Sequence, residues 1–200
     1  MSVRISNNTL EVFNPSTGED ITSLPISPLS ELDSILNTAQ EAAKSYNFSS
    51  FYRRQKLTTQ FRKGIVRQMD EFIETICSET GKKPVEGLME VFISLEHLKQ
   101  SSHHLYESLG KRPRRVGILK TRKAWVEYEA RGVAGIIAPW NYPLILTVSP
   151  LVEALLSGNA VILKPSEHTP LTTELLKKVW DQTTDRPELF QPVYGTEEIG

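Results

Sequence analysis

Apolar positions along the chain change their period twice. Leu10, Val12 and Phe13 form a short run, Asn14-Pro15-Ser16-Thr17-Gly18 is a dense turn signal, and apolar residues return from Ile21 to Ile26. This pattern predicts an N-terminal β-hairpin. Ser27-Pro28 then offers a cap and a proline for a first helical turn. Leu29, Leu32, Leu36, Ala39, Ala43 and Tyr46 recur every three to four residues and predict a helix to about Tyr46. A second helix is expected from near Ser50 to Thr80, with Leu57, Phe61, Ile65, Phe72 and Ile76 on one face. Gly81 is placed to end it in a left-handed cap, with Pro84 restarting the chain. Leu88, Phe92, Leu95, Leu98, Leu105 and Leu109 mark a third helix that stops at Gly110.

Beyond Gly110 the period shortens. Arg115–Leu119 and Trp125–Tyr128 read as two strands joined by the polar residues Lys120 to Lys123. Residues 132–163 then carry a single charge, Glu153. Within them Val133–Ala138 reads as a buried strand, Leu144–Ser157 as a helix and Ala160–Leu163 as a second buried strand. A helix over Leu171–Gln182 and a strand over Phe190–Tyr194 complete the pattern. Alternating strand and helix, with strands apolar on both faces, predict a parallel α/β unit. A membrane span is a poor fit, because the helical part is only about 14 residues against the ~20 required. Pro139, Pro143, Pro150 and Gly158-Asn159 would also leave broken backbone in lipid. The expected organisation is a hairpin and helical part over 1–113, a β-hairpin over 114–131 and a βαβαβ unit over 132–200.

Composition narrows the class without naming a function. The 200 residues are 39% hydrophobic and 24% charged, which excludes collagen-like and wholly disordered chains. The net charge of −1 excludes a chain built throughout as a polyanion binder. The single cysteine, Cys77, cannot pair internally and suits a reducing compartment, hence a cytoplasmic protein. The first residues hold no continuous apolar segment, so no secretory signal is expected. Seven of the thirteen residues from Lys111 to Lys123 are basic, a pattern that phosphate backbones can attract. No aromatic interleaving accompanies them, and an exposed polar hairpin loop explains them better than nucleic acid.

Candidate chemistry collects where parallel strands end. In open parallel sheets ligands bind beyond the carboxyl ends of the strands. Pro139-Trp140-Asn141-Tyr142-Pro143 follows one strand, and Lys164-Pro165-Ser166-Glu167 follows the next. Asn141 offers an uncharged side-chain donor for a developing oxyanion, a contribution of about 3 kcal/mol where such donors are removed; its plainer reading is a turn residue between prolines. Lys164 and Glu167 could grip a ribose diol, donating and accepting on the same hydroxyls; the plainer reading is a surface ion pair. No GxGxxG turn is present. Cys77 lies on an amphipathic helix and reads as a small packing residue. His97, His103 and His104 do not share the spacing of metal ligands, so no metal site is assigned.

The motifs extend this reading. Gly132–Pro143 (GVAGIIAPWNYP) and Gly158–Pro170 (GNAVILKPSEHTP) closely resemble the aldehyde dehydrogenase superfamily. Phe13–Glu19 (FNPSTGE) resembles its N-terminal hairpin signature, and Glu79-Thr80-Gly81-Lys82 its helix-end motif. The resemblance covers essentially the whole chain but only the first part of a family chain. It implies an incomplete aldehyde dehydrogenase fold, with a partial Rossmann-like sheet and a protruding hairpin at 114–131 of the kind that joins subunits into a homo-oligomer. It implies that NAD(P)⁺ is the cofactor and an aldehyde the substrate, oxidised to a carboxylic acid through a cysteine thiohemiacetal. Asn141 would be the oxyanion amide. Lys164 and Glu167 would hold the adenosine ribose, with Ala138, Pro139, Trp140 and Ser166 lining the cofactor, and a carboxylate at 167 favours NAD⁺ over NADP⁺. The lysine that many relatives carry nine residues after the asparagine is Pro150 here, so no proton relay is transferred to that position. The nucleophilic cysteine and general-base glutamate of the family pattern fall beyond residue 200. The chain alone is therefore expected to be inactive and, with an unpaired sheet edge, prone to associate. The alternatives are a non-catalytic nucleotide- or partner-binding protein and one half of a split enzyme.

Overall fold

The computed structural model describes residues 4–6, 8–118 and 121–200. The N-terminal hairpin forms as expected, β2 (Thr9–Phe13) against β3 (Asp20–Pro25), with a short β1 (Arg4–Ser6) added on the far side of β2. The Asn14 Oδ1 accepts from the Ser16 backbone N–H at 2.9 Å, and Gly18 takes a φ of 78°, so the turn residues act through their special geometries. Leu10, Val12 and Leu24 bury the inner face.

A single 3₁₀ turn (Leu29–Glu31) leads into α1 (Leu32–Tyr46), which buries Ala39, Ala42, Ala43 and Tyr46. Three alanines on that face let α1 lie close over the parallel sheet. The long helix expected over 50–80 is two helices, α2 (Phe51–Arg67) and α3 (Met69–Thr80), broken at Gln68. The Gln68 side chain donates to Gln182 Oε1 at 3.0 Å, at the end of a helix 114 residues away. That long-range partner is invisible to a periodicity argument, which sees one continuous apolar face. Gly81 ends α3 in the left-handed conformation, φ 73°, as the sequence predicts. The third expected helix also divides, into α4 (Pro84–His103) and α5 (Leu105–Leu109), at His104.

The second hairpin is shifted from its expected register. Its strands are β4 (Arg112–Arg114) and β5 (Ala124–Val126), not Arg115–Leu119 and Trp125–Tyr128. Val116 has no regular structure, Gly117 and Ile118 form a turn, and Leu119 and Lys120 lie outside the described residues. Ile118 is 94% exposed, because a lone two-stranded ribbon has no opposing layer in which to bury it. The register is held instead by Lys111, whose Nζ sits 4.0 Å from the Trp125 ring centroid and 3.3 Å from Glu127 Oε2.

The remaining chain forms the parallel unit. Strands β6 (Val133–Ile137), β7 (Ala160–Lys164) and β8 (Phe190–Pro192) lie in the order β6-β7-β8, all parallel. Helices α6 (Ile145–Leu156) and α7 (Leu171–Thr183) make the crossovers. The central strand β7 is buried as expected, but β6 is not: Ile137 is 72% exposed. The outer edge of β6 has no strand beside it among the described residues, so its apolar run stays uncovered. Trp180 anchors the core between Phe61 and Phe190, edge-on to both with ring centroids at 5.2 and 6.4 Å. At the far end of β8, Ser27 and Tyr194 exchange hydrogen bonds of 2.8 and 2.9 Å, tying the N-terminal hairpin to the parallel sheet. Among the described residues no helix is long and apolar enough to cross a membrane.

Candidate functional site

The two motif segments meet because of strand register. Ile137 pairs with Lys164, and the Ala138 N–H donates to the Lys164 carbonyl at 2.9 Å. The turn Pro139–Pro143 and the turn Pro165–Glu167 therefore leave adjacent strands at the same end of the sheet. Ala138 is buried beneath them, whereas Pro139, Trp140 and Asn141 are exposed. An exposed amide at this point is available as a donor to a ligand lying over the strand ends.

Lys164 is not a surface residue. It is 7% exposed, and its Nζ lies 3.5 Å from Glu167 Oε2 and 3.4 Å from the Pro165 carbonyl. These contacts are long for an ammonium and leave it capacity to donate more strongly. Glu167 is half-buried beside it, and Ser166 is buried, its Oγ accepting from the His168 N–H at 3.2 Å. Five of the seven residues singled out in the sequence lie in these two adjacent turns, and the other two, Ala138 and Lys164, lie at the strand ends beneath them.

The structure adds three charged residues to which sequence reasoning gave no place at the site: Glu79 and Lys82, read only as part of a helix-end motif, and Glu90. Glu90, buried in α4, accepts from the Leu144 N–H at 2.8 Å and the Ile145 N–H at 3.4 Å, and its other oxygen holds Lys82 Nζ at 2.6 Å. The Lys82 ammonium in turn stands 3.9 Å from the centroid of the Tyr142 ring, next to Asn141. Glu79, fully buried at the end of α3, accepts from the backbone N–H groups of Leu171 and Thr172 at 2.9 and 3.0 Å, and from the Thr172 hydroxyl. Burial pushes the Glu79 carboxyl up to about 8, against the opposing effect of those donors. The available signal was a carboxylate on an apolar helix face: Glu79 continues the stripe of Phe72 and Ile76.

Cys77 is half-buried beside Gly87, and burial pushes its thiol up, the opposite of an activated nucleophile. His97 pairs with Glu153 at 3.3 Å and His104 with Glu107 at 2.9 Å. Beside Tyr142, a groove of about 460 Å³ runs between α4 and α6, lined by Val85, Met89, Ile93, Ile145 and Leu146. Lys82, Glu86 and Glu90 edge this mostly apolar groove.

Comparison with known proteins identifies the family and the fold. An aldehyde dehydrogenase-like protein of Schizosaccharomyces pombe is 29% identical over 191 residues, covering 92% of this chain and 37% of its own length. A D-glyceraldehyde dehydrogenase (NADP(+)) of Picrophilus torridus is 30% identical over 176 residues, covering 86% of this chain and 35% of its own. The crystal structure of an oxidoreductase from Marinobacter aquaeolei superposes with a TM-score of 0.89 at 26% identity, over 96% of this chain and 40% of that one. The chain thus spans well under half the length of these relatives. The aldehyde dehydrogenase family profile matches residues 3–200. The chain belongs to the aldehyde dehydrogenase family.

Proposed function

We propose that this chain supplies one wall of an NAD(P)⁺ site and one oxyanion donor for the oxidation of an aldehyde to a carboxylic acid. The observation that carries the reading is the pairing of Ile137 with Lys164, which sets the Asn141 turn beside the Lys164–Glu167 turn. Ala138, Pro139, Trp140 and Ser166 complete the wall. The residues fit a ribose: an ammonium with only long contacts can donate to a hydroxyl, and the half-buried Glu167 carboxylate can accept from a diol. When bound, the dinucleotide supplies the hydride acceptor. Asn141 donates its side-chain N–H to the oxygen that gains charge as the carbonyl is attacked. The thiol that attacks is not Cys77, which is half-buried on α3 with its thiol pushed up by burial.

Glu167 sets the cofactor choice. Its carboxylate beside the ribose repels a 2′-phosphate, so NAD⁺ is preferred, in contrast to the NADP(+) named for the Picrophilus relative. Calorimetric titration of the chain with each dinucleotide tests this. NAD⁺ should bind more tightly, and Glu167→Gln should narrow the gap; tighter NADP⁺ binding would refute the assignment.

A second reading draws on the uncovered β6. Its free edge and the exposed Ile137 favour completion of the sheet by a further strand, from the same polypeptide or from a second one in a split enzyme. The hairpin around 114–131, with Ile118 and Trp125 exposed, is the proposed contact for homo-oligomer formation in the cytoplasm.

A further inference from the structure

We propose that the corner between α3 and α4 positions both halves of the candidate site: Glu90 with Lys82 fixes the turn carrying Asn141, and Glu79 fixes the turn carrying Lys164 and Glu167. The inference rests on the assignment of those three residues to the site. Neither crossover helix has a local side-chain cap: the N-cap residues Leu144 and Pro170 make no such bond. Each takes its cap from a buried carboxylate more than fifty residues away in sequence.

The two carboxylates come from one short stretch of chain. Glu79 and Lys82 flank Gly81, whose φ of 73° makes the reversal, and Glu90 lies in the helix that follows. The corner is itself fixed: Glu86 returns a bond to the Lys83 N–H at 2.9 Å, and a Cβ at Gly81 would stand 2.5 Å from Ser16 Oγ in the N-terminal turn.

The spacing then transmits position to the site. Asn141 lies three residues before Leu144, and Glu167 lies four before Leu171, so pinning the first N–H groups of α6 and α7 limits how far either turn can move. Lys82 adds a second hold, since its ammonium is bonded to Glu90 and set over the Tyr142 ring. At the start of α6 the Glu90 carboxylate, paired with the Lys82 ammonium, also matches the helix dipole. Glu90, Lys82 and Glu79 are positioning residues; none of them is placed to touch a reacting atom.

Nuclear magnetic resonance of the ¹⁵N-labelled chain tests this without any cofactor. In Glu90→Ala, amide protection at Leu144 and Ile145 should fall about ten- to a hundredfold, the range for losing a charged, buried acceptor. The Asn141 side-chain amide and the Trp140 indole should shift with it, while the Lys164, Ser166 and Glu167 signals stay in place. Glu79→Ala should give the converse pattern. Glu90→Gln, which keeps one acceptor oxygen, should restore part of the Leu144 protection. If Glu90→Ala does not fold, Lys82→Met serves, and should shift the Tyr142, Asn141 and Leu144 signals but not those of Lys164 and Glu167; if Glu79→Ala does not fold, Glu79→Gln serves, and should shift Leu171, Thr172 and Glu167 but not Asn141.

A purely structural role would lower the melting temperature in each variant and leave the Asn141 and Lys164 signals unmoved, or move both clusters together. Either result overturns the proposal. Failure of the unmutated chain to bind NAD⁺ would instead overturn the functional assignment, a separate measurement from the selective shifts.

Discussion

The guanidinium of Arg54 fills the space in which a side chain at Gly158 would stand: a Cβ there would lie 2.8 Å from both Cζ and Nη2. Arg54 is buried, has no carboxylate partner among the described residues, and donates to the carbonyls of Leu156 and Asn47, at 3.1 and 2.8 Å, and to Ser49 Oγ. It thereby closes the C-terminal end of α6, whose N-terminal end Glu90 closes. A cation at one end and an anion at the other is the arrangement the helix dipole favours. Gly158, at φ 93°, makes the turn that returns the chain into β7.

Gly158→Ala should therefore destabilise the fold by about 2–4 kcal/mol, combining the cost of a left-handed alanine with the displacement of Arg54. Urea unfolding measures it. A loss under about 0.5 kcal/mol, the range of neutral surface changes, would show that Arg54 is free to move aside.

Glu79 predicts a pH dependence. Its folded value, about 8, lies above its ordinary 4.5, so the native state holds this proton after the unfolded chain has released it. Its contribution is fully present below pH 4.5 and is lost as pH rises toward 8. The slope is at most roughly 1.4 kcal/mol per pH unit. Melting curves between pH 5 and 8 should show stability falling. Glu79→Gln should flatten that trend, and an unchanged slope in the variant would contradict it.

These positions show where sequence reasoning succeeds and where it stops. Gly81 was legible because a left-handed cap needs glycine whatever surrounds it. The adjacency of Asn141 and Lys164 was legible because parallel strands joined by a crossover helix present their carboxyl ends together. Gln68 was not: Phe72 and Ile76 continue the α2 stripe, and only its bond to Gln182 marks the break. The partners of Glu79, Glu90 and Arg54 were hidden for the same reason, lying 92, 54 and 102 residues away. The run Arg115–Leu119 misled because its apolar content suggested a strand, whereas among the described residues Val116 is irregular, Gly117 and Ile118 form a turn, and no layer covers them.

Exposure at the second hairpin separates folding from association. Ile118→Lys should change stability by less than about 0.5 kcal/mol, because the side chain buries almost nothing within this chain. Sedimentation should nevertheless show weaker self-association if the hairpin joins subunits. Unchanged association would remove the hairpin from that role.

Lys164→Met should weaken dinucleotide binding about ten- to a hundredfold, the consequence of losing one charge-assisted donor. The effect should appear in calorimetry with little change in the fold, because Met retains the apolar length of the side chain. Equal affinity in the variant would remove Lys164 from the site.

The most direct test of the proposed site is an NAD⁺ titration of the ¹⁵N-labelled chain, following backbone and side-chain amides. The assignment predicts that Ala138, Trp140 and Asn141 shift together with Lys164, Ser166 and Glu167, along one binding curve that Lys164→Met displaces. Shifts confined to the basic hairpin residues Lys111–Lys123, or none at all, would contradict a dinucleotide site at the ends of β6 and β7.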